Sequence, residues 1–438
     1  MEIWAIVMFV AVIGALLMGY PVAFTLGAVA MLFGGAALGL EFFDLLPLRI
    51  WGIMTNFTLL AVPLFIFMGV VLEKSGLAEE LLETMAMLCG RLRGGLAFAV
   101  VIVGALLAAT TGVVGATVVT MGVIALPAML KHNYDTSLAA GTIAASGTLG
   151  QVIPPSIVLI LLADVMGVPI GRLFMAAVIP GMVLILLYLI YIAWRAWSSP
   201  QTAPAVSADG EGGLLGRVLK SLIPPFALIV AVLGSIFFGI ASPTESAAIG
   251  GAGALLLAAA HRRLNRHNLY QAALQTMKLT SMVFLILVGA TAFGLVFKGL
   301  GGDGLVGSFF VGLPGGTFTF VLLSMVLIFV LGFFLDFIEI CFIVVPILEP
   351  IARSMGVDLL WFALLIAVNL QTSFLTPPFG FSLFYLKAVA PESVRITDIY
   401  RGIMPFVGIQ VVTVAAIVAF PDLASWLPDI MDRWHGLP

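Results

Sequence analysis

Apolar residues in this chain run in blocks of about 20, separated by short turn segments, rather than alternating with polar residues at a strand or surface-helix period. The blocks predict membrane-crossing helices at about 3–18, 21–40, 56–73, 137–163 and 173–194, and a second set at about 222–240, 246–260, 281–297, 359–386 and 402–420. Only Ser198 to Lys220 and His261 to Lys278 have the polarity of water-facing segments. Between the third and fourth block of each set lies a longer apolar stretch, Leu96 to Leu130 and Phe318 to Ile351. TTGVVGAT at 110–117 interrupts the first, and Asp336 with Glu339 the second. Each stretch can be a single helix or a re-entrant hairpin.

Charge placement favours hairpins. With two hairpins, fourteen basic residues, among them Lys74, Arg91, Lys131, Arg195, Arg262, Lys278 and Lys387, share one side, and only Arg49, Arg172, Lys298, Arg353 and Arg433 take the other. The positive-inside rule makes the first side cytoplasmic and places both termini outside. Five spans per set is an odd number, so the second set starts on the opposite side from the first, which is an inverted-topology repeat. Prolines recur in register: Pro127 with Pro346, Pro154 with Pro377, and Pro180 with Pro405. Each half also carries an amphipathic piece before its third span, around Glu41 to Arg49 and Leu264 to Lys278, with the character of an interfacial arm. The expected organisation is a first repeat at 1–197 with a cytoplasmic-side hairpin and a helix broken at 147–156, a cytoplasmic linker at 198–220, and a second repeat at 221–438. That second repeat has a periplasmic-side hairpin, a helix broken at 370–380 and a C-terminal tail.

Composition removes other readings. The chain is 62% hydrophobic and 9% charged, against about 25% charged for a soluble domain, so a water-soluble enzyme is excluded. A net charge of -3 gives no basis for nucleic-acid binding, and HRRLNRH at 261–267 reads as a cytoplasmic anchor. Cys89 and Cys341 stand alone in apolar surroundings and read as packing residues. The four histidines fall in loops or the tail, and no hydrolase, zinc or phosphate-loop motif is present, so no enzymatic activity and no cofactor beyond coupling ions is expected. Met1-Glu2-Ile3-Trp4 lacks a basic n-region, so the first block is expected to stay as a span.

Chemistry concentrates at the two double prolines. GTIAASGTLGQVIPPSIVLI at 141–160 and AVNLQTSFLTPPFGFSLFYL at 367–386 each lose two amide donors in mid-span, and each helix should break there. Bare peptide groups at membrane depth are tolerated where protein or a water-filled cavity satisfies them, and secondary transporters bind ions and substrate at such breaks. Ser146, Thr148, Gln151 and Ser156 crowd the first break, and Asn369, Gln371, Thr372, Ser373 and Thr376 the second, an oxygen-rich set suited to a hard cation and its substrate. Asp336, inside GFFLDFIEICFIVV, needs a partner at that depth, and no Lys or Arg lies in either hairpin's apolar stretch, so a bound cation is the available one. Glu339 is either part of that site or a polar hairpin turn. Glu245 in ASPTES is expected to cap the helix after Pro243, and Asp164 to be solvated at a span end. Without an arginine clamp, a carboxylate substrate would rely on sodium ions and the positive ends of half-helices.

At PLFIFMGVVLEKSG, GTLGQVIPPSI, FFLDFIEI and NLQTSFLTPPFGFSLFYL the chain resembles, over essentially its whole length, the large membrane subunit of tripartite ATP-independent periplasmic transporters. The resemblance implies an all-α polytopic inner-membrane protein. Its arms and outer spans form a scaffold, and its hairpins and broken helices move as an elevator. It further implies sodium-coupled import of a small organic acid anion, a small four-span membrane subunit and a periplasmic substrate-binding protein. Carried over by motif, a first sodium site would use Thr111, Thr117 and the carbonyls of Gly150, Ile153 and Pro155. A second would use Asp336, Ser373, Thr376 and the Phe379 carbonyl. Ser146, Thr148, Gln151, Ser156, Asn369, Gln371 and Thr372 would then face substrate. The family pattern implies an acid where Thr117 stands, and a neutral residue there would bind sodium more weakly. The wording of LDFIEI and NLQTSFLTPPFG resembles the branch associated with 2-oxo acids and lactate, with four-carbon dicarboxylates still open. Two other readings remain at this point: a stand-alone sodium- or proton-coupled symporter, and a structural subunit whose proline breaks only shape packing.

Overall fold

The computed structural model describes residues 2–206 and 214–434. Part of the expected linker, the side chains of Arg217 and Lys220, and the tail beyond 434 lie outside the described residues. Every regular element among the described residues is helical.

The first repeat opens with Glu2–Leu17 and Val22–Ala37, then the arm Leu46–Met54 and the third helix Ala61–Lys74. A short helix Leu77–Cys89 leads into the first hairpin, Gly95–Thr111 and Val114–Lys131. The first broken helix follows as Thr136–Thr148, a 3-10 turn Leu149–Gln151 and Ile157–Met166, and the long Ile170–Ser198 closes the repeat. The second repeat runs in the same order: Leu214–Phe237, Pro243–Ala260, Arg266–Gly299 and the short Gly302–Val311. Its hairpin is Gly316–Leu331 returning through Phe337–Glu339, a π-helical turn Ile340–Val344 and Val345–Ser354. Its broken helix is Leu359–Leu375 with Phe381–Val389, and Ile396–Ala419 completes it before a terminal helix Asp422–Trp434.

Cross-repeat packing is reciprocal. Pro243–Ala260, second in its repeat, packs on Ala61–Lys74, third in the other, and Arg266–Gly299, third, packs on Val22–Ala37, second. Likewise Ile396–Ala419 packs on Thr136–Thr148, and Ile170–Ser198 on Leu359–Leu375. A surface that meets its own counterpart in this exchanged way is the mark of a two-fold relation. A close crossing brings Gly141 against Gly402, where a Cβ on Gly141 would collide with the Gly402 backbone and one on Gly402 with the Ser137 carbonyl. Small residues at such crossings let helices approach where lipid supplies no hydrophobic drive.

Among the described residues, four helices are individually long and apolar enough to cross a membrane: Val114–Lys131, Ile170–Ser198, Arg266–Gly299 and Ile396–Ala419. Length misleads for Val114–Lys131, which packs along Gly95–Thr111 after a two-residue turn and is a hairpin limb. Several shorter apolar helices hold 16 or 17 residues, near the lower limit for spanning hydrocarbon. Large exposed side chains such as Phe24, Leu32, Leu256 and Val412 cover the outside, a surface made for lipid rather than water.

Three expectations need correction. The segment 264–278 is no separate arm: Asn265 caps it through Asn268 N–H at 2.7 Å, and it continues into the third span as one helix of 34 residues. The arm of the first repeat, by contrast, is bent 56° from its third helix. Leu77–Cys89, Gly302–Val311 and Asp422–Trp434 are helices that hydropathy blocks alone did not announce. Asp164 is not left to solvent, because Asn56 Nδ2 donates to its Oδ1 at 2.7 Å. Glu245 behaves as expected: its carboxylate accepts from the Ser242 amide and hydroxyl, both at 2.8 Å, at the start of Pro243–Ala260.

Candidate functional site

Both double prolines interrupt their helices. The first break separates Gln151 from Ile157, with Ser156 extended (φ -116, ψ 134), and the second separates Leu375 from Phe381, with Thr376 extended (φ -87, ψ 130). Pro154-Pro155 and Pro377-Pro378 are both cis. Carbonyls orphaned before each gap need donors, and a hydroxyl beyond the gap supplies one in both halves. Ser156 Oγ donates to the Gln151 carbonyl at 2.9 Å, and Ser382 Oγ to the Phe374 carbonyl at 2.7 Å.

The first hairpin turns at Gly112, whose φ of +60 suits a residue without Cβ. A Cβ there would sit 3.3 Å from the Ile157 amide nitrogen, so the tip lies against the start of the helix after the break. Thr111 and Thr117 face each other across the tip, their hydroxyls 2.9 Å apart, while each is also within reach of its own backbone, at Leu107 and Val113. Gly69 of the third helix abuts Thr110 and Thr111, and Gly150 lies against Ala108.

The second hairpin turns at Asp336, the N-cap of its return limb. Asp336 Oδ1 accepts from Phe337 N–H at 2.7 Å, and Glu339 Oε2 accepts from Asp336 N–H at 3.2 Å. That reciprocal box gives Glu339 the role of a turn residue. The turn seats against the second break: Phe337 meets Phe374, Phe334 meets Phe379, and Gly332 touches the Ser373 hydroxyl.

A cavity of about 170 Å³ opens where these parts converge. Its walls are Val113 to Gly115 from the first tip, Ile157 from the first break, Asp336 to Ile338 from the second tip, and Phe374 and Tyr385 from the second broken helix. Ile66, Leu279, Met282 and Val283 close it from the two third helices. Three helix N-termini, those of Val114–Lys131, Ile157–Met166 and the return limb at Phe337, therefore face one space. A helix N-terminus carries roughly half a positive charge, and at the third of these Asp336 already accepts from the Phe337 amide. The only charged side chain in the wall is Asp336.

The polar residues singled out around the breaks divide. Asp336 lines the cavity, Thr111 and Thr117 lie at the adjoining tip, and Ser373 sits against the second turn. Thr376 donates to Thr372 and Thr372 to Val368, each within its own helix. Ile153 borders a separate apolar groove beside Gly181, and Pro155 is buried in the first break. Ser146 donates to Thr142 and packs on Gly104, and Asn369 Nδ2 donates to the Met325 carbonyl at 2.7 Å, tying the broken helix to its hairpin. Gln371 Nε2 donates to Thr148 Oγ1 at 3.3 Å, joining the two broken helices, and Gln410 Nε2 reaches the same hydroxyl at 3.5 Å and Tyr188 at 2.8 Å. Gln151 is fully buried. The wall residues Tyr385 and Phe374 escaped the sequence reading, although Tyr385 is a polar aromatic inside an apolar run.

Residues 9–423 match the family described as tripartite ATP-independent periplasmic transporter, DctM component. The chain belongs to that family. It is 31% identical to the C4-dicarboxylate TRAP transporter large permease protein of Pseudomonas aeruginosa, with 90% of each chain covered. It is 29% identical to the ectoine TRAP transporter large permease protein of Halomonas elongata, over 98% of this chain and 99% of that one. Among solved structures, the YdaH transporter of Alcanivorax borkumensis, whose crystal structure is described as having an unusual topology, superposes with a TM-score of 0.61 at 16% identity. That superposition covers 90% of this chain and 89% of that one, a likeness of fold. The protein is thus a multi-pass membrane permease, one component of a three-part transporter, and not an enzyme.

Proposed function

We propose that this permease imports a small organic acid anion into the cytoplasm by sodium symport, receiving it from a periplasmic binding protein and working beside a small four-span subunit. The observation that carries the reading is the central cavity: three helix N-termini and one carboxylate, with no basic side chain in the wall. N-termini suit an anion, and Asp336 at that depth asks for a cation, so anion and sodium satisfy each other in one space. The ion ligands are Asp336 with the Ser373 and Thr376 hydroxyls at the second break, and Thr111 with Thr117 at the first tip. Hairpins and broken helices travel together past the two third helices, exposing the cavity to one side at a time, with both chain termini on the periplasmic side. The substrate is a 2-oxo acid, a lactate-like acid or a dicarboxylate; a relative named for C4-dicarboxylates supports the class.

The test needs no substrate. Thermal unfolding of the purified chain is compared in sodium, potassium and choline chloride, and repeated with Asp336→Asn. An ion at 100 times its Kd stabilises the native state by about 2.7 kcal/mol. Stabilisation confined to sodium and lost in the variant is the expected result. Equal melting in all three salts would remove sodium coupling.

A further inference from the structure

A second polar opening lies on the long third helix of the second repeat. It is a crevice of about 230 Å³ lined by Arg49 of the first-repeat arm, by Thr291, Gly294, Lys298 and Asp303, and by apolar residues of the second hairpin's return limb such as Phe342 and Pro346. Two cations and one carboxylate face it. Lys298 Nζ stands 3.7 Å from Asp303 Oδ2, a loose and half-exposed pair, and Arg49 is exposed. Two further acids lie near: Asp164, on the element that contributes Val165 to the wall, is held by Asn56, and Glu2 stands beside Gly301, where an added Cβ would meet its Cγ at 3.8 Å.

Position gives the crevice a meaning. Both openings share the same helix as one wall and the second hairpin as the other. The central cavity touches that helix at Leu279, Met282 and Val283, the crevice at Leu287 to Lys298. From Val283 to Lys298 is about 22 Å at a rise of 1.5 Å per residue. The crevice is therefore the next polar stop along the track on which the hairpin tip lies, and its net charge is positive whereas the central wall has only a carboxylate.

We propose that Arg49 and Lys298 form a staging site for the carboxylate of the transported anion, which concentrates it beside the second hairpin before it reaches the central cavity. Arg49 supplies a planar fork that can hold a carboxylate by two hydrogen bonds, and Lys298 a point charge. Asp303 restrains Lys298 and offsets its charge, so the site is weak enough to release what it gathers. The proposal rests on the anion-import reading, and it is tested without transport or sodium.

The probe is a cysteine at Gly294, where an added Cβ meets open space, with Thr291→Cys as a second position should the first fail to express. In zwitterionic nanodiscs, its modification rate by the anionic methanethiosulfonate ethylsulfonate is compared with that by the cationic ethyltrimethylammonium reagent, after subtracting wild-type background. A unit charge about 6 Å away in water changes local anion concentration about threefold, and cation concentration about threefold in the opposite sense, hence roughly tenfold in the ratio. The ratio should exceed that of a free thiol, fall about tenfold in Arg49→Gln and in Lys298→Gln, each of which removes one positive charge, and rise in Asp303→Asn. Millimolar succinate or lactate should slow the anionic reagent in the parent and not in Arg49→Gln/Lys298→Gln. A ratio equal to the free thiol's, or unmoved by these three variants, overturns the proposal even if sodium still stabilises the chain. Loss of labelling by both reagents on adding phosphatidylglycerol also overturns it, by assigning the crevice to lipid. Retention of the anion preference in a chain indifferent to sodium would leave the staging site standing and the symport reading fallen.

Discussion

Tyr188 and Gln410 lie 222 positions apart, on the last helix of each repeat, and meet at 2.8 Å with neither side chain exposed. Gln410 Nε2 donates to the Tyr188 hydroxyl and reaches Thr148 only at 3.5 Å, while Gln410 Oε1 has no partner. Tyr188→Phe keeps the ring and its edge contact with Phe406 at 5.0 Å but leaves the buried amide with only the long bond. Stranding a buried donor costs about 1–3 kcal/mol, whereas replacing both partners by apolar groups of like shape is nearly neutral. Gln410→Leu also removes an acceptor that is already unpaired, so the double variant Tyr188→Phe/Gln410→Leu should be more stable than Tyr188→Phe alone, with a coupling of about 1–2 kcal/mol. For a chain of this length, that is a shift in Tm of about 1–2 °C per kcal/mol. The assay is thermal unfolding in detergent of the wild type, both single variants and the double. A double variant whose loss equals the sum of the singles would refute the argument.

Two further outcomes follow from the same packing. Gly402→Val, at the Gly141 crossing, should overpack the junction between the repeats by more than the usual 1–3 kcal/mol, because backbone and not a side chain stands in the way; fluorescence-detected size exclusion should show loss of the monodisperse peak. Ser156→Ala and Ser382→Ala should each cost about 1 kcal/mol by stranding the Gln151 or Phe374 carbonyl, and threonine should restore either; equal melting of alanine variant and wild type would show that another donor serves the break.

The breaks, the hairpins and the repeat were legible because their causes are local: a double proline removes donors wherever it falls, and a carboxylate in an apolar run marks a turn that needs a partner. Helix boundaries at 264–278 were not, since the polar stretch from Arg266 to Lys278 reads as an interfacial arm, and nothing in its composition says that the helix continues unbent into the span. Leu77–Cys89 escaped notice because Glu79, Glu80 and Glu83 give it one polar face and too short an apolar one. Site residues suffered most from the loss of rotation in a one-dimensional reading. Thr148 and Gln371 sit in the right segments, yet their side chains turn to each other, and the wall of the cavity is built from Val114, Ile157 and Phe374, which carry no polar mark. Tyr188 and Gln410 could not be paired at all, because only the fold brings the ends of the two repeats together.

The division of polar atoms also bears on how such a protein could move. Bonds from Gln371 to Thr148, Gln410 to Tyr188 and Asn369 to the Met325 carbonyl all run among the broken helices, the second hairpin and the last helices of the repeats. Across the border to the two third helices, the central cavity meets Ile66, Leu279, Met282 and Val283, all apolar. Directional bonds hold one body together, and a boundary of dispersion contacts can be re-formed at another register without stranding a donor. A rigid unit that slides against Ala61–Lys74 and Arg266–Gly299 is therefore the motion this distribution favours, and it must also exchange the bond from Asn56, just ahead of Ala61–Lys74, to Asp164 on the first broken helix. Breaking the Gln410–Tyr188 bond should loosen that unit internally while leaving the apolar border unchanged.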